Sequence, residues 1–545
     1  MKTLKLKEWS RRAEIGRWSA ILLVAVGMQT LMLPRLKAET KEKQITDSGI
    51  TSVVEKGLKQ EKGVAPDDVD VSTSQGIVTL SGSLDNLLAK ERAVRIAESI
   101  RGVRGVIDQT TVTPVSRSDE DVNKDIAAAL KQDPATESYQ VAAFVQNAVA
   151  TLTGSVGSYG EKQLAARIAE GIKGVKEVHN NVTINYLAKP TDTQIADNVK
   201  DRLQWDIWIN GELIKPTVKD GKVTLTGTIG SAISKSRADD DAWVNGVTSV
   251  DDSGVKIEPR VSNGPHKEHE IAERSDSEIK QAVQASLHLD PRVSAFSPDV
   301  IVENGGVILG GNVGNLKAKI SAEQDAKNIV GVWQVNNLLK VRAKEQPTDA
   351  QMEQQLKAAL AWDPLVNGDT ITVAVTKRVA HLSGTVDSSF EKAEAQDVAS
   401  RIKGVLSVRN SLKAEPEFST YYYNDYSPYS YSPYSYYSYG DWPYYSYYGW
   451  PYGSQWLGYD SGMYEPPLFL SDEQIKKDIK DEFFWSPFVD SSDINITVNG
   501  GAATLTGTVG TRIGWNEANR DAYDGGAYKV VNQVKITHKA SWWWW

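Results

Sequence analysis

The chain reads as an α+β protein: a tandem array of six α-β-β-α-β units, each a three-stranded mixed sheet covered by two helices. Three observations predict this. A stretch alternating apolar residues with Thr or Ser around one glycine is written six times, as Val78–Leu84, Ala150–Val156, Val223–Ile229, Val307–Val313, Ala380–Val386 and Ala503–Val509. A Ser or Thr followed by Asp stands 36 residues before each of these glycines. A Gly followed by an apolar residue stands 19 or 20 residues after each. Six copies in one register outweigh any single motif.

Each unit opens at Thr46, Ser118, Thr191, Ser275, Thr348 or Ser471. These residues cap the free N–H groups of a helix, and the Asp that follows suits the positive end of its dipole. Gln194, Glu278, Gln351 and Gln474 complete capping boxes. Apolar residues then recur every fourth position, as in Ile195/Val199/Leu203 and Ile279/Val283/Leu287, which makes one buried stripe. Asp133-Pro134, Asp290-Pro291, Asp363-Pro364 and Ser486-Pro487 stop the helix, because proline cannot continue it.

A first strand follows, clearest at Ile371–Val375 and Ile494–Val498. Hairpin turns are expected at Gln75-Gly76, Asp220-Gly221, Asn304-Gly305 and Asn499-Gly500. In the central strand, alternation puts the glycine on the apolar face, where its missing side chain admits another backbone or a helix. Asn86, Ser158, Ser231, Asn315, Ser388 and Thr511 cap a second helix. It ends at Gly102, Gly174, Gly246, Gly331, Gly404 or Gly526, each placed for a left-handed C-cap. A last strand, such as Val178–Ile184 or Val335–Val341, closes the unit. A unit of this size folds alone, though marginally, each buried leucine contributing roughly 1.5–3 kcal/mol. A cut between units should therefore leave cooperative melting in the remainder.

The 545 residues suit several small domains, and the lack of cysteine excludes disulfides and thiolate metal sites. Lys2, Lys5, Lys7, Arg11, Arg12 and Arg17 precede an apolar run from Ala20 to Leu33, then Pro34 and Leu36-Lys37-Ala38. That order predicts a signal peptide over residues 1–38 and a periplasmic or cell-envelope protein. Its removal takes the formal net charge from −9 to −15. So acidic a chain has no general attraction to nucleic acid, and no nucleic-acid partner is expected. Sixteen of the 22 tyrosines lie between Tyr421 and Tyr459, in a Tyr/Ser/Pro-rich stretch over 417–467 with almost no aliphatic residue. This reads as a disordered linker, either a plain spacer or an aromatic contact segment. Residues 260–274 form a shorter linker, and 539–545 a Trp-rich tail.

No catalytic set recurs in register, so the protein is not expected to be an enzyme and no cofactor is implied. His266 and His269 are the only close histidine pair and sit in the polar linker, which reads as a solvated stretch rather than a metal site. Gly310–Gly314 lacks the Gly-Lys-Ser/Thr ending of a phosphate loop. Trp205, Trp362 and Trp485 fall fourteen residues after their openings. They read either as lids over the sheet or as contacts for lipid headgroups, with Lys357, Lys476 and Lys477 as a local positive face.

The Asp-Pro exit, the Asn-Gly turn, the Val-Thr-Leu-Thr-Gly-Thr-Val strand and closes such as Ile172-Lys173-Gly174-Val175 and Ile402-Lys403-Gly404-Val405 resemble the BON domain. On that resemblance the domains are 46–114, 118–187, 191–259, 275–343, 348–414 and 471–538, here units 1 to 6. The resemblance implies a non-enzymatic envelope protein that binds phospholipid membrane surfaces through several domains at once, in osmotic or envelope stress protection. The alternative is a periplasmic scaffold or chaperone-like binder of other proteins or cell-wall glycan. Units 3 and 6 each lose one residue in the second helix and end two sets of three, which suggests a duplicated triplet.

Overall fold

The structure, a computed structural model, describes residues 45–60, 63–64, 69–186, 189–259, 274–294, 296–343, 345–414, 470–510, 512–527 and 529–536. The expected signal peptide, the 417–467 segment, the Trp-rich tail, His266, His269 and Thr511 lie outside the described residues.

Six opening helices of fourteen residues each begin at the Asp after the cap: Asp47–Gln60, Asp119–Gln132, Asp192–Trp205, Asp276–Leu289, Asp349–Trp362 and Asp472–Trp485. Capping boxes form at Thr191/Gln194, Ser275/Glu278 and Thr348/Gln351. The expected fourth does not close. Gln474 donates its side-chain amide to Asp478 instead, while its backbone N–H still finds Ser471.

In every unit the glycine-bearing strand is central, antiparallel to the first strand and parallel to the last. The parallel step needs a crossover, and the second helix supplies it. In units 4 and 6 the last strand is split, into Gln334–Asn337 with Lys340–Val341 and Lys529–Asn532 with Lys535–Ile536.

The opening Asp does more than meet the helix dipole. Its two carboxylate oxygens accept the two backbone N–H groups of the hairpin turn, 28 and 29 residues on, at 2.7–3.0 Å in all six units. Both turn residues have positive φ, the twist-matched two-residue hairpin. Asn147-Ala148 and Lys377-Arg378 adopt it without any glycine. In unit 6 the turn is Gly500-Gly501, one residue beyond the expected Asn499-Gly500, because Asn499 pairs with Ala502.

The expectation for the strand glycine needs correcting. Gly82, Gly154 and Gly384 are exposed, not on the buried face. Glycine is required because φ is +120° to +135° at Gly82, Gly154, Gly227, Gly384 and Gly507. The first strand also passes close by: a Cβ on Gly384 would lie 2.2 Å from the Thr370 carbonyl oxygen. The last strand is tied to the second helix by one amide. Asn180, Asn337, Asn410 and Asn532 each donate to a carbonyl of that helix at 2.7–3.0 Å.

The cores do not all respect unit boundaries. Units 2, 4, 5 and 6 each have their own apolar cluster, whereas units 1 and 3 share one, and Trp485 of unit 6 is part of it. The six repeated units therefore stand, but units 1 and 3 are joined through one core.

Candidate functional site

The three tryptophans singled out from sequence occupy equivalent seats between units. At the end of its helix, Trp205 of unit 3 accepts the Val330 N–H of unit 4 at 2.9 Å. Trp362 of unit 5 accepts the Lys173 N–H of unit 2 at 2.7 Å, and Trp485 of unit 6 accepts the Arg101 N–H of unit 1 at 2.9 Å. Each donor immediately precedes the glycine that closes its second helix. A carbonyl left without a partner by one helix end thus meets an N–H of another unit.

The rings follow the backbones. Trp485 is 8 % exposed, and its ring lies where a side chain on Gly49 of unit 1 would stand, 3.1 Å from that Cβ position. Trp205 is half-buried against the unit-4 core, with the Arg274 guanidinium 4.5 Å above its ring. Trp362 is half-buried between its own core and that of unit 2. Each ring therefore packs against a neighbouring unit and does more than cover its own sheet. Lys476 is half-buried and Lys477 exposed, both on the opening helix of unit 6.

The pairing that results is 3 with 4, 5 with 2 and 6 with 1, each pair joining a unit of the first set of three to a unit of the second. Further contacts differ from pair to pair. The Trp208 indole N–H donates to Asn328 Oδ1 at 3.1 Å across the 3–4 seam. Lys173 Nζ donates to the Val366 carbonyl and Lys403 pairs with Glu137 across the 2–5 seam. Arg101 donates to the Val489 carbonyl and Lys56 pairs with Glu482 across the 1–6 seam.

Charged side chains are buried where the second helices meet. Lys317 of unit 4 donates to Asp397 of unit 5 at 2.8 Å, and Arg401 holds both Asp397 and Glu394. Glu394 is fully buried; burial and the nearby Asp363 push its carboxyl up to about 8, against the pull of Arg401. Asp397 behaves oppositely. Burial would raise it, but Arg401 and Lys317 prevail and hold it below the usual carboxylate range. In unit 3, Arg202 pairs with Asp241 and Arg237 with Asp206. Burial also raises Glu170 to about 8 and Asp240 to about 7. Of these pairings, Lys317 with Asp397 joins unit 4 to unit 5, while the Arg401 pairs lie within unit 5 and the Arg202 and Arg237 pairs within unit 3. A groove of about 490 Å³ lies between units 1 and 3, and the charged residues lining it are Arg104, Lys256 and Glu258.

Sequence reasoning missed the buried charges, since Arg, Asp and Glu on a helix ordinarily read as a solvated face. It also missed apolar side chains on the sheet faces turned away from the helices. Phe144 is 64 % exposed and Ile301 52 %, with Ile77 and Ile107 on unit 1. Their signal was present: each interrupts the Thr/Ser/polar set of its strand's outward positions. Among the described residues no cluster of His, Asp and Glu is placed to hold a metal, and no helix is long and apolar enough to cross a membrane.

Comparison with protein families agrees with the six repeats. The BON domain matches residues 46–114, 118–186, 191–259, 275–343, 348–416 and 471–538. Osmotically-inducible protein Y of Escherichia coli (strain K12) is 31 % identical over 143 residues, 25 % of this chain and 71 % of that protein. Outer membrane lipoprotein DolP of Haemophilus influenzae is 26 % identical over 147 residues, 26 % of this chain and 75 % of that protein. Among solved structures, the C-terminal domain of CdsD, the structural protein of the Type III secretion system of Chlamydia trachomatis, is matched over all of its length and 39 % of this chain, at 15 % identity and a TM-score of 0.11. With family matches covering most of its length in the same register as the six repeats, the chain belongs to the BON domain family.

Proposed function

We propose that this is a non-enzymatic envelope protein that rests on phospholipid surfaces through the outward sheet faces of several BON domains. The observation that carries the reading is the set of exposed apolar side chains on those faces, Ile77, Ile107, Phe144 and Ile301. Each contact is weak alone, and linked contacts gain by effective concentration. Lys477 and Lys476 supply headgroup contacts on this reading, while the three tryptophans hold the domains in place. The relatives named for osmotic induction and for the outer membrane support an envelope setting and a role in osmotic or envelope stress.

The net charge of −9 opposes long-range attraction to anionic lipid, so the apolar contact must carry the binding. Co-sedimentation with vesicles tests this. The chain should pellet with zwitterionic vesicles at least as well as with anionic ones, and Phe144→Ser with Ile301→Ser should release it. No pelleting with either lipid ends the membrane reading. Retained binding to isolated envelope that is lost on deleting 417–467 would then favour a scaffold for proteins or glycan, through the tyrosine-rich segment.

A further inference from the structure

Unit 6 differs from the other five in how it is attached. Its apolar cluster, built on Ile475, Ile479, Phe483, Ile494, Leu505 and Ala518, is drawn from its own residues, as is that of unit 5. Fifty-five residues separate its first described residue, Leu470, from Ala414 at the end of unit 5. One turn of unit 6 and the helix before it hold unit 1. Arg101 donates its backbone N–H to the Trp485 carbonyl and its guanidinium to the Val489 carbonyl at 2.8 Å, and Lys56 pairs with Glu482 at 2.5 Å. Unit 3 adds an edge contact between Trp208 and Phe488 at 5.4 Å.

One part of this contact crosses a domain boundary in the core. Trp485 completes the apolar cluster of units 1 and 3 and does not belong to that of unit 6. Leaving the seat would uncover a large ring on one side and the seat beside Gly49 on the other. Both surfaces are restored as well by a second copy as by the first, since an exchanged element makes the same contacts and needs no new interface.

We propose that unit 6 is an exchangeable plug, and that it fills the unit-1 seat of a second copy of this chain as well as its own. The balance is set by the connector. Fifty-five residues reach at most about 190 Å when fully extended, enough to span to the seat of a second copy. Closure within one chain dominates in dilute solution, and exchange grows as the protein is concentrated.

The chain has no cysteine, so introduced thiols report one contact at a time. Lys56→Cys and Glu482→Cys place thiols on opposite sides of the seat, and losing their partly exposed ion pair weakens it little. The full chain carrying both, treated dilute with a short bis-maleimide, should cross-link internally and keep the 59.9 kDa mass of one chain. Two singly substituted chains, concentrated together, should yield a product of twice that mass, absent when either is treated alone. Trp485→Ala on the Glu482→Cys chain should abolish it, while melting of the remaining units shows that the protein is folded. Internal closure of the double variant with no product from the mixed chains overturns the exchange. Failure of the double variant to close, or equal cross-linking by each single variant alone, overturns the seat itself.

Discussion

The Asp349 carboxylate accepts the Arg378 backbone N–H at 3.0 Å, across twenty-nine residues, and that of Lys377 at 2.7 Å. The turn it holds has φ of +52° and +64° with no glycine. Charge-assisted hydrogen bonds offset the cost of that backbone. Asp349→Ala should therefore cost about 2 kcal/mol or more. Urea denaturation reads the loss, and the Lys377 and Arg378 amides should exchange hydrogen faster. The same change at Asp276, whose turn contains Gly305, should cost less, and equal losses would remove the strain argument.

The strand glycines are not equivalent. A Cβ on Gly384 meets the Thr370 carbonyl oxygen at 2.2 Å, whereas one on Gly311 has its nearest neighbour at 3.8 Å. Both have positive φ, which costs an alanine roughly 1–2 kcal/mol. Gly384→Ala adds a backbone clash, so its melting temperature should fall well below that of Gly311→Ala. Equal effects would refute the role given to the first strand.

Buried acids in the seams make stability depend on pH. Glu394 faces Asp363, Asp397, Arg401 and Lys317, and its folded value of about 8 lies above its ordinary 4.5. Between those values the folded state binds the extra proton, so this group's contribution to stability falls as pH rises. Asp397, held low, is ionised throughout that range and adds no slope. Melting temperature should therefore decline from pH 5 to pH 8, and Glu394→Gln should flatten the decline. A steeper decline in the variant would contradict the assignment.

The seats should be separable from the domains they join. Trp362→Ala removes packing against unit 2 but leaves the core of unit 2 intact. Hydrogen exchange at the Lys173 amide should rise at least tenfold while amides in the Val149–Val156 strand stay protected. Loss of protection in both would mean that unit 2 does not stand without its partner.

Truncation after Ala414 should leave units 1 to 5 melting cooperatively, with unit 1 less stable for want of Trp485. Removing unit 1 should loosen unit 3 as well, since the two share a core. Calorimetry of the two truncations distinguishes this from six independent transitions.

The repeated opening, central strand and helix-closing glycine are local features. Caps, period-two alternation and left-handed C-caps act within a few residues, so Ser275, Leu309 and Gly331 could be placed from sequence alone, and with them the α+β unit and its six-fold repetition. The partners of Asp276 and Trp205 could not. A carboxylate at a helix start looks the same whether it meets a dipole or a turn 28 residues away, and an indole after a helix looks the same over its own sheet or over another unit. The packing of 1 on 6, 2 on 5 and 3 on 4 depends on surfaces contributed by residues far apart in the sequence. Burial of Glu394 and Lys317 likewise follows from that docking, because a charged helix face is ordinarily left to water unless another face pairs it.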